Sequence, residues 1–226
     1  MIFITGDTHR SINIAKLHKA NFKQGKQLTK NDYVIICGDA GFIWDDSMEN
    51  QYWLDWISNQ PWTTLFVDGN HENFTLLNKY PKEQWNDGWI HKITNSLFHL
   101  MRGEVFTIDN LTFFCFGGAN SIDKHKRIEG FNWWKEEDAT QKDYNNALYD
   151  LNQYNFKVDY ILTHTIPYNL FNRLNFRPIP DRTAEYLEQL VYETNIEYKQ
   201  WFAGHFHRDK QYNNLRLLFD DIVQIT

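Results

Sequence analysis

The sequence predicts an α/β fold whose functional residues lie at one edge of a β-sheet. Short apolar runs alternate along the chain with segments of helical periodicity, a pattern typical of α/β proteins. Several of these runs end directly in Asp, Asn or His, so we expect strand carboxyl ends to converge at one sheet edge. The 226 residues contain no repeat and no low-complexity linker, and this length can bury one sizeable core. We therefore predict a single domain over residues 1–226.

The composition argues against several classes of protein. Hydrophobic residues make up 42% of the chain and charged residues 23%, so wholesale disorder is not expected. The formal net charge is −6, whereas an extended nucleic-acid surface would need an excess of Lys and Arg. A nucleotide substrate is compatible with this charge, because bound metal ions supply a local positive field.

Compartment and membrane association are inferred from the same sequence. The first residues lack the basic stretch of a signal peptide, and no apolar run approaches the ~20 residues of a membrane span. Cys37 and Cys115 both lie within apolar runs, which predicts buried free thiols in a reducing compartment. We expect a cytoplasmic protein with no membrane partner.

The first third of the chain is predicted to alternate strands with helices. Apolar runs predict strands at 1–5, 33–37 and 65–67. Ser47 is a suitable N-cap for a helix over 48–57, because its side chain can accept a hydrogen bond from the first turn.

Two further helices are predicted in this part of the chain. Ser11 is expected to cap a short amphipathic helix over 12–20. A helix over 72–80 is expected to end at Pro81, because proline cannot continue a helix. Glu72 is expected to cap this helix rather than to bind metal, since a carboxylate is stabilised in a first helical turn.

A β-rich stretch is predicted next. Apolar runs at 98–101, 105–108 and 111–116 predict strands, and Asp109-Asn110 fits a two-residue hairpin turn.

The last part of the chain returns to helices and strands. Segment 121–138 is polar and aromatic, without a clear period. Helical spacing predicts helices over 140–154 and 183–194, and apolar runs predict closing strands at 215–219 and 222–225.

Five short motifs carry the residues that point to chemistry. Two divalent ions held ~3.5–4 Å apart need a bridging anionic ligand and several further N or O ligands, which Asp, Asn and His supply. No thiolate motif is present, so Mn, Fe or Zn is favoured over metals that need a soft site. The motifs are Gly6-Asp7-Thr8-His9, Gly38-Asp39, Gly69-Asn70-His71-Glu72, the isolated His164, and Gly204-His205-Phe206-His207.

In their order and residue types, these motifs resemble those of the calcineurin-like metallophosphoesterases, over residues 6–207. The resemblance implies a four-layer α/β/β/α sandwich of two mixed sheets flanked by helices, the metallo-dependent phosphatase fold. It also implies a dinuclear metal site at one end of the two sheets. The implied activity is hydrolysis of a phosphate mono- or diester, with a nucleotide among the possible substrates.

The resemblance gives a role to each motif residue. A hydroxide bridging two ions would attack phosphorus, since coordination lowers the pKa of bound water to about 7 in favourable sites. His71 would contact the phosphate or protonate the leaving oxygen. Mn²⁺ is the first expectation for the two divalent ions, with Fe and Zn as alternatives. Asp7, His9, Asp39 and His207 would hold one ion, and Asp39, Asn70, His164 and His205 the other.

One stretch departs from the family pattern. Many members have Gly-Asp-x-x-Asp-Arg, in which the second Asp orients the catalytic His and the Arg holds phosphate, whereas residues 38–43 are Gly-Asp-Ala-Gly-Phe-Ile. Asp45 or Asp46 is a candidate for the missing carboxylate. We expect Arg10 to bind substrate because it follows His9 directly. The departure favours a small or nucleotide-like substrate over a phosphoprotein. The other candidate arginines are Arg102, Arg127 and Arg208.

Two alternatives remain open from sequence. A structure-specific nuclease would need segment 121–138 to form a basic face. The basic cluster 124–127 within it is most simply a solvated loop, or else a flap that recruits an anionic substrate, with Trp133 and Trp134 stacking on a base. A catalytically silent protein-interaction scaffold would be expected to have lost metal ligands, and this chain keeps them. The oligomeric state is not predicted. The histidines outside the motifs are expected at the surface or hydrogen-bonded in the core, and they are His18, His91, His99 and His125.

Overall fold

The computed structural model describes all residues, 1–226, and contains two β-sheets with helices packed on their outer faces. The predicted α/β class with two mixed, helix-flanked sheets is confirmed. The strands are β1 (Ile2–Thr5), β2 (Tyr33–Cys37), β3 (Thr63–Val67), β4 (Lys82–Trp85), β5 (Gly88–Lys92), β6 (Leu97–Leu100), β7 (Glu104–Ile108), β8 (Leu111–Phe116), β9 (Tyr160–Thr163), β10 (Gln200–Ala203), β11 (Lys210–Tyr212), β12 (Leu215–Leu217) and β13 (Val223–Gln224). The α-helices are α1 (Met48–Ser58), α2 (Phe74–Leu77), α3 (Gln141–Gln153), α4 (Leu170–Arg173) and α5 (Arg182–Thr194). Short 3-10 helices span Ile14–Leu17, Gln24–Gln27, Lys124–Lys126 and Lys135–Glu137.

Parallel strands form the centre of each sheet. The seven-stranded sheet has the order β13-β1-β2-β3-β6-β5-β4, and the six-stranded sheet has the order β11-β12-β10-β9-β8-β7. Strands β1, β2, β3 and β6 pair in parallel, as do β8, β9, β10 and β12. Because parallel neighbours end at the same edge, the loops after β1, β2 and β3 lie side by side, and so do those after β9 and β10.

Three apolar layers hold the sheets and helices together. Strand β2 contributes Ile35 and Cys37 to the layer between the sheets, and Val34 and Ile36 to the layer under α1 and α2. The third layer lies between the smaller sheet and helices α3 to α5, and it includes Phe114 from β8. Strands buried on both faces are continuous apolar runs rather than alternating ones, which is why the central strands were visible in the sequence.

The longer helices are confirmed where a local cap specifies them. Ser47 precedes α1 and its side chain accepts a hydrogen bond from the backbone N of Asn50 at 3.1 Å. Thr140 precedes α3 and forms a capping box with Asp143. The side chain of Asp181 caps α5. The predicted cap at Ser47 is therefore confirmed, whereas α3 and α5 were predicted from helical spacing and their caps emerge from the structure.

The predicted helix over 12–20 is wrong. Only the 3-10 turn Ile14–Leu17 forms, preceded by Asn13, and no side chain caps it. Lys16 is buried within this turn, and its ammonium donates to the backbone carbonyls of Gly6 and Phe219. The segment therefore braces the loop after β1 instead of forming an independent amphipathic helix.

The predicted helix over 72–80 is shorter than expected, and Glu72 does not cap it. Helix α2 has four residues, and the side chain of Asn73 caps it by accepting from the backbone N of Leu76 at 3.0 Å. Glu72 is buried and accepts from the backbone N of Ala40 at 2.8 Å instead. Its carboxylate thus supports the loop after β2.

Three strands were not predicted, namely β4, β5 and β11. Strand β4 lies at the edge of the larger sheet and its side chains are largely exposed, so it lacks an apolar run. Strand β5 pairs with β4 and β6 in antiparallel fashion. The predicted hairpin is confirmed, because Asp109 and Asn110 join β7 to β8 with φ of 52° and 63°.

The two cysteines are buried free thiols, as predicted. None of the helices combines the length and the apolar character needed to cross a membrane.

Candidate metal centre

The predicted ligands lie in five loops, each of which follows a central strand. Three of these strands belong to the larger sheet and two to the smaller one, so both sheets contribute to one site. Parallel pairing places the loops at the same end of their strands. The residues are Asp7 and His9 after β1, Asp39 after β2, Asn70 after β3, His164 after β9, and His205 and His207 after β10.

Left-handed backbone conformations are concentrated in these loops. Such conformations are costly for residues with a side chain, and they cluster at functional sites. Hydrogen bonds between the first two loops hold them, because the backbone N of His9 donates to the carbonyl of Asp39 at 2.8 Å. The φ angles are 39° for Asp7, 43° for His9, 50° for Asp39, 69° for His205 and 47° for His207.

Two glycines allow the loops to approach one another. Gly38 has a φ of 84°, and a Cβ atom at this position would overlap the ring of His164. A Cβ atom at Gly69 would overlap the carboxylate of Asp39. These positions therefore require glycine so that the side chains can lie directly against neighbouring backbone.

One half of the site is formed by Asp7, His9, Asp39 and His207. Each residue offers one ligand atom, and these four atoms lie within 4.8 Å of one another. Nε2 of His9 is 3.1 Å from Oδ2 of Asp39, and Nε2 of His207 is 3.6 Å from Oδ1 of Asp7. Two carboxylates and two imidazoles are a donor set that suits Mn, Fe or Zn.

The other half shares Asp39 and adds Asn70, His164 and His205. Oδ1 of Asn70 lies 3.1 Å from Nε2 of His164 and 3.0 Å from Nδ1 of His205. Nε2 of His164 is also 3.4 Å from Oδ2 of Asp39. The same oxygen of Asp39 therefore faces both halves, as expected for a ligand that bridges two ions.

The hydrogen bonds of His164 test whether this space suits a cation. Its Nδ1 lies 2.8 Å from the carbonyl oxygen of Cys37, and because a carbonyl only accepts, Nδ1 must carry a proton. In a neutral ring Nε2 is then a lone pair, and it faces the oxygens of Asn70 and Asp39. Either a proton or a metal ion must separate these lone pairs. The donors present therefore fit a metal ion.

The charges of the site support the same conclusion. Burial alone would lower the pKa of His164, but the neighbouring carboxylate of Asp39 raises it to about 10. Burial raises the pKa of Asp7 to about 7, with His164 opposing and Asp39 reinforcing the rise. Burial, together with His164, lowers the pKa of His205 to about 3. The raised pKa values of His164 and Asp7 thus favour their protonated forms, and a bound divalent cation would replace those protons.

Comparison with known proteins agrees with this geometry. The family model described as calcineurin-like phosphoesterase matches residues 1–209. The chain belongs to this family. No curated protein sequence matches it.

Two solved structures are similar to this calcineurin-like phosphoesterase. The phosphopantetheinyl hydrolase of Mycobacterium tuberculosis has 15% sequence identity and a TM-score of 0.41, with 96% of this chain and 87% of that one covered. A Staphylococcus aureus protein assigned as a 5′-nucleotidase has 13% identity and a TM-score of 0.50, with 96% of this chain and 48% of that one covered. The phosphoesterase chain thus spans about half the length of the nucleotidase, and this likeness concerns the fold alone.

A buried chain of hydrogen bonds orients the amide of Asn70 in this phosphoesterase. Nδ2 of Asn70 donates to Oγ of Ser121 at 3.1 Å, and the Ser121 hydroxyl donates to Glu137 at 2.6 Å. Glu137 is fully buried and also accepts from the backbone N of Ser121 at 2.8 Å. The amide oxygen of Asn70 is therefore turned toward His164 and His205. Sequence reasoning missed both supporting residues, because they lie in the segment without periodicity.

Replacement of Ser121 with alanine is expected to weaken metal binding about 10- to 100-fold, the usual effect of removing a group that orients a ligand. Without the hydroxyl, the amide of Asn70 loses the partner that fixes its orientation. Calorimetric titration of the metal-free protein with Mn²⁺ measures the change. Ser96→Ala is the matched control, because this serine is equally buried and donates to the Ser58 carbonyl. Unchanged affinity in Ser121→Ala would contradict the assignment.

A second buried chain supports the loop after β3. Asp68 accepts from Nε of Arg102 at 2.9 Å and from Nε2 of His99 at 3.0 Å. Nδ1 of His99 lies 2.9 Å from Nδ1 of His91. Because Nε2–H of His99 donates to Asp68, Nδ1 of the neutral His99 ring accepts from Nδ1–H of His91. Nε2 of His91 then carries a buried lone pair without a partner. Both histidines are hydrogen-bonded core residues, as predicted.

Replacement of His91 with phenylalanine is expected to reduce the acid sensitivity of folding. Burial, reinforced by His99 and Lys82, lowers the pKa of His91 from 6.5 to about 3. The folded state thus favours the neutral ring. The free energy of unfolding is highest above pH 6.5 and falls as the pH drops toward 3, because the unfolded chain binds the proton first. Protonation would create a buried N–H without an acceptor, at a cost of about 1–3 kcal/mol.

Urea unfolding of both proteins across this pH range tests the prediction. The wild type should lose more unfolding free energy than His91→Phe between the two pKa values. Equal losses in the two proteins would contradict it.

His71 lies beside the metal ligands and contacts Arg127. Its backbone N donates to Oδ1 of Asp39 at 2.7 Å, and its Nδ1 lies 3.1 Å from Nη1 of Arg127. Burial lowers the pKa of His71, although the charge of Asp39 opposes this and that of Arg127 adds to it. The group that contacts His71 is thus an arginine rather than a carboxylate.

Of the candidates named from sequence for the missing Asp-Arg pair, Arg127 lies against His71, whereas Asp45, Asp46 and Arg10 do not. Asp45 accepts from the backbone N of Ser47 at 2.9 Å, and neither it nor Asp46 contacts His71. Arg10 faces α1, with Nη1 3.9 Å from Asp45 and 3.5 Å from Oδ1 of Asn50. A role for Arg10 in substrate binding stays a prediction.

An open cleft of about 600 Å³ leads to the ligands. His71 and His205 line one part of it, and Phe176, Arg177 and Phe206 line another. The rings of Phe176 and Phe206 stack with their centroids 4.1 Å apart. The cleft thus combines the polar centre with an adjacent aromatic wall.

Segment 121–138 borders this cleft, but the predicted stacking role of Trp134 is wrong. Trp134 is buried, and its Nε1 donates to Oγ1 of Thr75 at 2.8 Å. Trp133 lies beneath Lys124, whose Nζ is 5.8 Å from the ring centroid. Both tryptophans thus pack within the protein, and they do not form a pair of exposed rings for stacking on a nucleotide base.

Proposed function

We propose that this chain is a metal-dependent phosphoesterase that hydrolyses phosphate mono- or diesters with a dinuclear metal centre. The observation that carries the proposal is the position of Asp39, whose Oδ2 is 3.1 Å from Nε2 of His9 and 3.4 Å from Nε2 of His164. One carboxylate oxygen thus connects two groups of ligands. Such an arrangement serves two ions better than one, because each ion gains ligands that the other does not use.

The residues around Asp39 would form two sets of ligands, one for each metal ion. When bound, divalent ions supply Lewis acidity toward a phosphoryl oxygen and lower the pKa of water to about 7 in favourable sites. Manganese is our first proposal for both ions, with iron and zinc as alternatives that the oxygen and nitrogen donors also suit. The ligands proposed for the first ion are Asp7, His9, Asp39 and His207, and those for the second are Asp39, Asn70, His164 and His205.

A small or nucleotide-like substrate is proposed on the basis of the cleft. Its volume of about 600 Å³ is in the range of small-molecule sites. The stacked rings of Phe176 and Phe206 lie next to His205, so a planar group attached to the phosphate can contact them. Arg177 lines the same wall and can meet additional negative charge.

The nuclease alternative has less support. Lys124 lies 3.5 Å from Asp138, and Arg127 forms an ion pair with Asp123 at 2.8 Å. Two of the basic side chains of segment 121–138 are therefore neutralised within the chain and are not free to follow a phosphate backbone. A cytoplasmic location is proposed from the free, buried thiols, which suit a reducing compartment.

The proposal is tested by metal content and activity measured on one preparation. Protein stripped by a chelator and reloaded with Mn²⁺, Fe²⁺ or Zn²⁺ should bind two equivalents and hydrolyse p-nitrophenyl phosphate or its bis-ester. Removal of the metal should abolish hydrolysis, and its return should restore it.

A substrate panel then separates the possible substrates. Nucleoside monophosphates, cyclic nucleotides, dinucleoside polyphosphates, short oligonucleotides and a phosphopeptide should be compared by kcat/KM. Preference for a small aromatic ester supports the proposal, and preference for oligonucleotides supports a nuclease. Full metal loading without hydrolysis of any ester would identify the protein as a scaffold and refute the proposal.

A further inference from the structure

An arginine, Arg127, contacts the imidazole of His71. Its Nη1 lies 3.1 Å from Nδ1 of His71, although the two residues are far apart in the sequence. Arginine carries five N–H donors and no acceptor. The contact therefore has the opposite polarity to an Asp–His pair, because Nδ1 must accept the hydrogen bond instead of donating one.

Asp123 holds Arg127 in this position. Its two carboxylate oxygens accept from Nε of Arg127 at 2.8 Å and from Nη2 at 3.0 Å, a bidentate contact that fixes the plane of the guanidinium. Nη1 also donates to the carbonyl oxygen of Asn132 at 3.1 Å. Three contacts with Asp123 and Asn132 thus hold the guanidinium in place. Its fourth contact is with Nδ1 of His71.

We infer that Arg127, held by Asp123, is a positioning residue that fixes His71 as the tautomer with a lone pair on Nδ1 and a proton on Nε2. An imidazole with Nδ1 protonated would place two N–H groups against each other at this contact. The Nε2 proton is the one that His71 can offer to a ligand in the cleft that it lines.

This tautomer selects between the two roles that a histidine at this place can have, and it rests on the proposed phosphoesterase activity. A neutral imidazole that gave up its Nε2 proton would become an anion, so His71 does not protonate the leaving oxygen. It donates a hydrogen bond to the phosphoryl group, as a neutral imidazole can do toward developing negative charge. This step involves no proton transfer from His71.

Nitrogen NMR of the protein labelled with ¹⁵N-histidine tests the tautomer directly. The metal-free or zinc-loaded protein is suitable, and the His71→Ala spectrum assigns the two signals. We expect an unprotonated Nδ1 and a protonated Nε2 in the wild type, and a mixture of tautomers in Arg127→Met. Arg173→Met is the control, because Arg173 is exposed and should leave the signals unchanged. A protonated Nδ1 in the wild type would overturn the inference.

The role of His71 is tested by comparing two leaving groups. For p-nitrophenyl and phenyl phosphate, His71→Ala should lower kcat/KM by the same factor, about 10²–10³-fold. Arg127→Met should also lower kcat/KM equally for both esters. A much larger loss for phenyl phosphate, whose leaving group needs a proton more, would show that His71 is a general acid.

The two proposals can fail separately. Absence of metal-dependent hydrolysis in the wild type refutes the proposed function, and the NMR spectra still decide the tautomer. An active wild type with a protonated Nδ1, or with unequal losses for the two esters, refutes the inference alone.

Discussion

Replacement of Asp39 with alanine is expected to remove both metal ions and to lower phosphoester hydrolysis at least about 10³-fold. The loss should exceed that of a single group that stabilises charge in a transition state, which costs about 10²–10³-fold. Oδ2 of Asp39 faces His9 and His164, and Oδ1 accepts from the backbone N of His71 at 2.7 Å. One substitution therefore removes the connection between the two groups of ligands and the anchor of the loop after β3.

Elemental analysis and kcat/KM on the same samples measure this effect. Asp55→Ala is the matched control, because Asp55 is an exposed aspartate on α1 and its replacement changes the charge equally. Two bound ions and near wild-type activity in Asp39→Ala would show that the centre does not depend on this carboxylate.

Replacement of His71 with alanine is expected to lower activity about 10²–10³-fold while both ions remain bound. His71 contacts Asp39 only through its backbone N, which alanine keeps. Its side chain contacts Arg127 and lines the cleft, so its removal affects the substrate rather than the metal. The contrast with Asp39→Ala separates a residue that acts on phosphate from one that holds metal.

The measurement is kcat at saturating ester together with metal content. His18→Ala serves as the control, because this ring packs on Trp56 and is not part of the cleft. Loss of metal from His71→Ala would place the residue among the ligands instead.

The clustering of the candidate ligands was predictable from local features of the chain, and the family resemblance supplied their roles. Asp7, Asp39 and Asn70 each come shortly after a strand that is buried on both faces, and such strands are visible as apolar runs. Once parallel neighbours are assumed, the ends of these strands must lie together. The helix cap at Ser47 was predictable for the same reason, since its partner is three residues away.

Features that depend on tertiary contacts were not predictable in this way. Arg127 reaches His71, and Glu137 reaches Asn70 through Ser121, across a segment with no periodicity. Glu72 has a suitable position to cap a helix, but its carboxyl group accepts a hydrogen bond from the backbone N of Ala40 instead. Strand β4 has exposed side chains, so pairing with β5 alone defines it. In each case a partner distant in sequence decides the outcome.

The His71 ring is in contact with an arginine and not with a carboxylate. The missing Asp of the Gly-Asp-x-x-Asp-Arg pattern is not replaced by Asp45 or Asp46, and the side chain that contacts the ring nitrogen is a cation. We therefore expect this histidine to act through the hydrogen bond that it donates.

Anomalous scattering from a crystal grown with Mn²⁺ tests the central claim most directly. The account predicts two manganese peaks about 3.5–4 Å apart, with Asp39 between them. One peak should contact Asp7, His9 and His207, and the other Asn70, His164 and His205. A single peak, or two peaks that do not share Asp39, would contradict it.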